Sequence, residues 1–201
     1  MLSRIAILFI GIAVALPGMQ LAATPRVDAT ISTMFWRGQI EAGGPEMTFN
    51  GTVQEVVAQI HKIKPDFPAG LNVSRSTPLP NDDDGHAVDC YVGGRGTATV
   101  SVILDGIKYL HGLPGNCGVS AGNQGYNTCA RISCSYNSAI WLCSDHGQEV
   151  LWPCSALGDI AQNDCFTCQG GSGGSQQWGQ GREKWPEQAG GFHVDIGEDS
   201  C

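Results

Sequence analysis

The chain has 201 residues, 28 of them glycine and nine cysteine, and its 11 Lys and Arg face 19 Asp and Glu for a formal charge of −8. That length holds one or two domains and is too short for a large α/β barrel with its outer ring of helices. The acidic balance lacks the basic footprint on which nucleic acid or an anionic lipid surface depends, so neither is expected as a partner.

The chain opens with a positive end, Met1 to Arg4, followed by an apolar run from Ile5 to Leu16, a Pro17-Gly18 break and the small residues Ala22 and Ala23. This order is that of a secretory signal, and a run of about twelve is shorter than the roughly 20 residues that span a bilayer. Residues 1–23 are expected to be a signal peptide removed after Ala23, leaving a secreted, extracellular, monomeric chain without stable membrane insertion. Oxidising conditions then turn paired cysteines into crosslinks. Two sequons, Asn50-Gly51-Thr52 and Asn72-Val73-Ser74, are candidate glycosylation sites at Asn50 and Asn72.

Residues 24–85 contain no cysteine. Within them Val53, Val56, Val57, Ile60 and Ile63 recur at helical spacing and Pro65 ends the pattern. Pro68 to Asp84 reads as a Pro- and Asp-rich linker, so the whole stretch is expected to be an N-terminal pro-region or accessory arm with one short helix. The acidic run Asp82-Asp83-Asp84 does not make a calcium loop. Setting Gly85 at the turn glycine puts Pro80 and Tyr91 where carboxylates are needed.

All nine cysteines fall within 90–201, about 8% of that stretch, near the density of a disulfide scaffold. His86 to Val92 reads as a strand carrying Cys90. Thr97 or Thr99 can cap a helix whose stripe is Val100, Ile103, Leu104, Ile107 and Leu110, stopped by Gly112 and Pro114. After a Gly- and Asn-rich loop comes a hairpin. A three-residue loop, Tyr136-Asn137-Ser138, would put Ile132, Cys134, Ile140 and Leu142 on one face and Cys129, Arg131, Ser133, Trp141 and Cys143 on the other. A second helix is expected over Trp152 to Phe166, a long surface loop over 169–190, and a closing strand at Phe192, Val194 and Ile196 tied by Cys201.

The order strand, helix, strand, strand, helix, strand predicts an α+β fold for residues 86–201. Two helices would pack on one face of a four-stranded antiparallel sheet, a split β-α-β sandwich stabilised by disulfides. Cys90, Cys117, Cys129, Cys134, Cys143, Cys154, Cys165, Cys168 and Cys201 form its disulfide set. Their odd number leaves one thiol, expected among the connecting cysteines Cys117, Cys154 and Cys168, free or paired between chains.

Three stretches carry a family resemblance: Asp105-Gly106-Ile107-Lys108-Tyr109-Leu110, the hairpin run from Cys129 to Cys143, and the upstream Phe49 to Val57. Over residues 47–64 and 86–201 the chain resembles the fungal killer-toxin-like secreted proteins. The resemblance implies an α/β sandwich and a non-catalytic secreted effector or toxin-like factor, acting by binding a surface or apoplastic target of another organism. It implies no catalytic residue, metal or cofactor. Five Lys and Arg against ten Asp and Glu over residues 90–201 argue against a basic toxin's attraction to an acidic channel mouth.

Two other classes compete with this reading. Gly118-Val119-Ser120-Ala121-Gly122 matches a hydrolase nucleophile motif, with His146 or His193 and Asp145 or Asp159 as partners, which would make the chain a small secreted serine hydrolase using Ser120. A turn-forming sequence follows Ser120 where that motif needs a helix. The Gly-rich loop offers a structural cell-wall or adhesion role. Cys165 and Cys168 could join Cys143 and His146 at zinc, but oxidised thiols make structural pairing the expectation. The histidines His61, His86, His111, His146 and His193 show no ligand spacing.

Overall fold

A computed structural model describes residues 30–67, 87–90, 96–122, 127–170, 178–179, 181–184 and 191–201. The expected signal segment, the Asn72 sequon, His86 and the expected linker over 68–84 lie outside the described residues. Among the described residues the fold is α+β, with three helices and mixed sheets rather than two helices on one four-stranded antiparallel sheet.

The chain begins with β1 (Thr30–Thr33), β2 (Phe35–Gln39) and β3 (Glu46–Asn50), and continues into α1 (Val53–Ile63). The Val/Ile stripe fixes α1, burying Val53, Val56, Val57 and Ile60. Its start is set by a capping box, in which Thr52 and Glu55 bond each other's backbone N–H. After β4 (Ala87–Cys90) and β5 (Ala98–Thr99) comes α2 (Val100–Gly112), ending at the expected Gly112. Thr99 occupies the N-cap position without a side-chain capping bond.

Next are β6 (Asn116–Val119), the hairpin β7 (Thr128–Ser135) and β8 (Ser138–Ser144), β9 (Val150–Pro153) and α3 (Cys154–Cys168). The expected start of the second helix at Trp152 is corrected, since Trp152 is the partner of Cys117 in the β6–β9 ladder. The expected surface loop over 169–190 is corrected too. It contains β10 (Gln169–Gly170), β11 (Trp178–Gly179) and β12 (Gly181–Lys184), ahead of β13 (Phe192–Glu198).

Strands run in the order β1-β7-β8-β13-β12-β4 in a six-stranded sheet, β3-β2-β6-β9 in a second and β10-β11-β5 in a third. The strands anticipated from the sequence all join the first sheet, with β12 inserted between β13 and β4, while β1 pairs parallel to β7. Helix α2 lies on α3 and on β7 and β8, and α1 packs on α2 and β7. Gly106 permits the contact between α2 and the sheet, since a Cβ there would meet Ser133 and Ile140.

Residues 30–67 are therefore built into the fold. Met34, Trp36, the buried face of α1 and Phe67 share one apolar cluster with Ile103, Leu110, Leu142, Leu157 and Phe192.

The hairpin differs from expectation in its turn. The loop has two residues, Tyr136 and Asn137, both at positive φ, and Ser135 pairs with Ser138. A bulge between Arg131 and Ser133 then shifts the alternation. Ile132, Ile140 and Leu142 stay on the core face, but Ser133 joins them, bonded by Gln54 Nε2 at 2.7 Å. Cys134 moves to the opposite face with Cys129, Ala139, Trp141 and Cys143.

Four disulfides link Cys90 to Cys168, Cys117 to Cys154, Cys129 to Cys143 and Cys134 to Cys201. The unpaired thiol is Cys165, not Cys117, Cys154 or Cys168. One helical turn separates Cys165 from Cys168, whose sulfur bonds Cys90 of β4, while Cys165 faces the core with no exposed surface and so is not placed to bond another chain.

Candidate functional site

Chemically active side chains gather at one end of the six-stranded sheet, on the face away from α2. The register places Cys129, Cys143 and His193 side by side on β7, β8 and β13. His193 is 4% exposed, and its Nδ1 lies within hydrogen-bond distance of Asp145 Oδ1, at 2.5 Å. Its Nε2 is 3.8 Å from Asp195 Oδ2. The loop beyond β8 is drawn in by bonds from Asp145 N to Gly191 O and from Gly122 N to Gly147 O, each 2.8 Å. His146 rests against Gly191, whose φ of +57° and lack of a Cβ make room for the ring.

One Cys sulfur atom each from 129 and 143 and a ring nitrogen of His193 lie within 4.8 Å of one another, a spacing compatible with metal ligands. The sulfurs are bonded to each other, however, and a disulfide does not supply the thiolates that zinc takes from cysteine. The other zinc set is dispersed by pairing, because Cys143 bonds Cys129, Cys168 bonds Cys90 and Cys165 is buried alone.

The hydrolase constellation is assembled only in part. His193 and Asp145 are within hydrogen-bond distance, while Asp159 lies with His111 between α2 and α3, 3.1 Å from its Nε2. Ser120 is exposed at the end of β6 and continues into residues 121–122, which are not helical. A nucleophile elbow needs a helix there to supply the oxyanion-hole amide.

A second feature is an open cleft of about 630 Å³ lined by Gln39, Ile40, Glu41, Ala42, Lys64, Phe67, Pro114 and Gly115. A smaller recess of about 290 Å³ adjoins it, sharing Ile40, Glu41 and Lys64 and adding Met47 and Ile63. Three separate stretches build the cleft. The β2–β3 turn is closed by Gly44 N donating to Glu41 O at 2.9 Å, with Gly43 at φ +77°. Beyond α1 the chain turns back as Phe67 N donates to Lys64 O at 3.1 Å, and His61 packs its ring edge on Phe67.

The third wall is held by buried Trp36, whose Nε1 donates to Pro114 O at 2.7 Å while its ring stacks on Phe49. Lys64 Nζ bonds Glu41 Oε1 at 2.9 Å across the rim, and that hydrogen bond holds the ammonium above the usual lysine range. The cleft is thus an apolar floor under a paired charged rim, the general form of a recognition surface. Sequence reasoning missed it. The visible signals were the Thr52-x-x-Glu55 capping box and the Trp36 and Phe49 aromatics, none of which names a cleft.

The glycosylation candidate Asn50 is exposed at the end of β3, and its backbone carbonyl accepts from Gln59 Nε2. Among the described residues no helix is long and apolar enough to cross a membrane. No family model, no curated protein and no solved structure matches this chain.

Proposed function

We propose that the chain is a secreted, non-catalytic protein of the effector or killer-toxin-like kind, acting by binding a surface or apoplastic target of another organism. The open apolar cleft between the β2–β3 turn, the end of α1 and Pro114-Gly115 carries this reading. Its Ile40, Ala42 and Pro114 present carbon surface to solvent, and its walls are fixed by the Gly44–Glu41 and Phe67–Lys64 backbone bonds and by the Trp36 bond to Pro114 O, so a partner meets a preformed face. The internal chemistry supports the same reading, since His193 lies against a closed disulfide and Ser120 is followed by residues 121–122 that are not helical.

The test exposes foreign cells and plant tissue to purified labelled protein and measures retention and growth inhibition or necrosis. Ala42→Arg puts a bulky charge on the exposed lip of the cleft and is expected to cut retention at least tenfold with an unchanged melting temperature. Hydrolysis of ester or peptide substrates that disappears in Ser120→Ala would replace this reading with the enzyme.

A further inference from the structure

Tyr136 is 86% exposed, the most exposed large apolar side chain among the described residues. It stands at the first of the two turn positions of the β7–β8 hairpin at φ +43°, followed by Asn137 at +57°. Asparagine tolerates left-handed backbone, whereas a bulky residue there is a strained choice, and Asn-Gly or Gly-Gly would satisfy such a turn more easily. The ring of Tyr136 adds little burial to the fold in return. Residues kept in unfavourable backbone at an exposed point are drawn from functional sites more than from scaffolds.

The surroundings of the turn point the same way. Asp199 N donates to Asn137 O at 3.2 Å, Ser138 Oγ donates to Tyr136 O at 3.4 Å, and Thr99 N donates to Ser138 Oγ at 3.0 Å. The Cys134–Cys201 disulfide ties the strand just before the turn to the chain's last residue, and Cys129–Cys143 crosslinks the hairpin farther down. The turn backbone is therefore fixed from several sides while the ring is left outside. Such an aromatic has little ordering entropy to lose when it is bound.

Among the described residues, the edge beside the turn carries one carboxylate more than its paired charges. Glu198 is exposed opposite Ser138 in the β13–β8 register, next to Asp199, which bonds Arg131 at 2.8 Å. Helix α2 begins near this tip and ends near Pro114 of the cleft, and its 13 residues put the two about 20 Å apart. The tip is thus separate from the cleft.

We infer that Tyr136 is an anchor that inserts into an apolar pocket, rimmed by basic side chains, on a protein of the target cell. This rests on the reading of the chain as a binding protein. Aromatic residues at rigid, exposed points are the usual carriers of interface energy. The formal charge of −8 and the nearby Glu198 favour a basic rim over an anionic lipid surface.

The experiment compares wild type, Tyr136→Gly and Tyr136→Asn for melting temperature and for retention on the cells that wild type binds, with and without prior trypsin treatment of those cells. Both substitutions relieve left-handed strain. They are expected to melt at or above the wild-type temperature and to bind at least tenfold more weakly, and the wild type's retention is expected to be lost when the cells are treated with trypsin.

Variants that bind as wild type does overturn the anchor while leaving the binding reading standing. Variants that lose binding together with several degrees of melting temperature assign Tyr136 to the scaffold and also overturn it. Trypsin-insensitive retention of wild type redirects the contact to lipid or polysaccharide, and a wild type retained by no cell overturns this inference along with the reading beneath it.

Discussion

The Cys165 thiol sits inside α3 with no exposed surface, and burial, helped by the Asp164 charge, pushes its pKa up to about 11. Only thiolate attacks alkylating reagents, so in the folded chain the residue should stay unmodified at pH 8. One equivalent per chain should react once denaturant is added without reductant, as mass spectrometry would count. Because the folded value lies above the ordinary 9.0, this group's contribution to stability is complete below pH 9 and is lost as pH rises to about 11. Denaturation midpoints of wild type and Cys165→Ala measured between pH 8 and 11 should converge over that window. Asn50 gives the second residue-scale expectation. It is exposed at the end of β3, so a glycan there meets no core, and Asn50→Gln should lower the mass lost on deglycosylation by one glycan while changing stability by less than about 0.5 kcal/mol.

At the scale of elements, α2 and the hairpin meet at Gly106. A methyl group at that position would meet Ser133 and Ile140, side chains fixed in the sheet. Gly106→Ala is therefore expected to destabilise by about 1–3 kcal/mol despite alanine's better helix propensity, as urea titration would show. The helix itself was legible, because Val100, Ile103, Ile107 and Leu110 repeat on one buried stripe. Strand β12 was not legible, since Gly-Arg-Glu-Lys shows no apolar alternation and is held by backbone ladders to β13 and β4. The hairpin lay between these cases. Its strands and the Cys129–Cys143 face could be read, but a bulge at Ile132 has no compositional mark and moved Ser133 and Cys134 to opposite faces. The cleft was hidden for a related reason, since its walls come from three stretches that meet only in the folded chain.

At the scale of the molecule, covalent and packing constraints are unevenly distributed. Disulfide Cys90–Cys168 spans 78 residues and Cys129–Cys143 spans 14. Loop-closure entropy then assigns about 4.5 kcal/mol to the first and about 3 kcal/mol to the second. Replacing each pair by alanine should reproduce that order in denaturation midpoints. All four crosslinks lie beyond residue 89, so residues 30–67 are held without a crosslink, by packing and by the β1–β7 and β2–β6 ladders. Met34, Trp36, Val53, Val56, Val57, Ile60 and Phe67 are nonetheless core residues. Each buried side chain of this size is favoured by about 1.5–3 kcal/mol over its exposed state, so losing the segment would open the core that it shares with α2, α3 and the sheet. A pro-region that leaves an intact domain behind would not be woven in this way, so the segment is expected to stay with the working protein. Secretion of residues 24–201 and of residues 87–201 as separate proteins tests this, with disulfide mapping and near-ultraviolet circular dichroism as readouts. The longer chain should show the four native pairs and a fixed aromatic spectrum, and the shorter one mixed pairings and none. A shorter chain with all four native pairs and cooperative melting would mean that residues 30–67 are a removable cover.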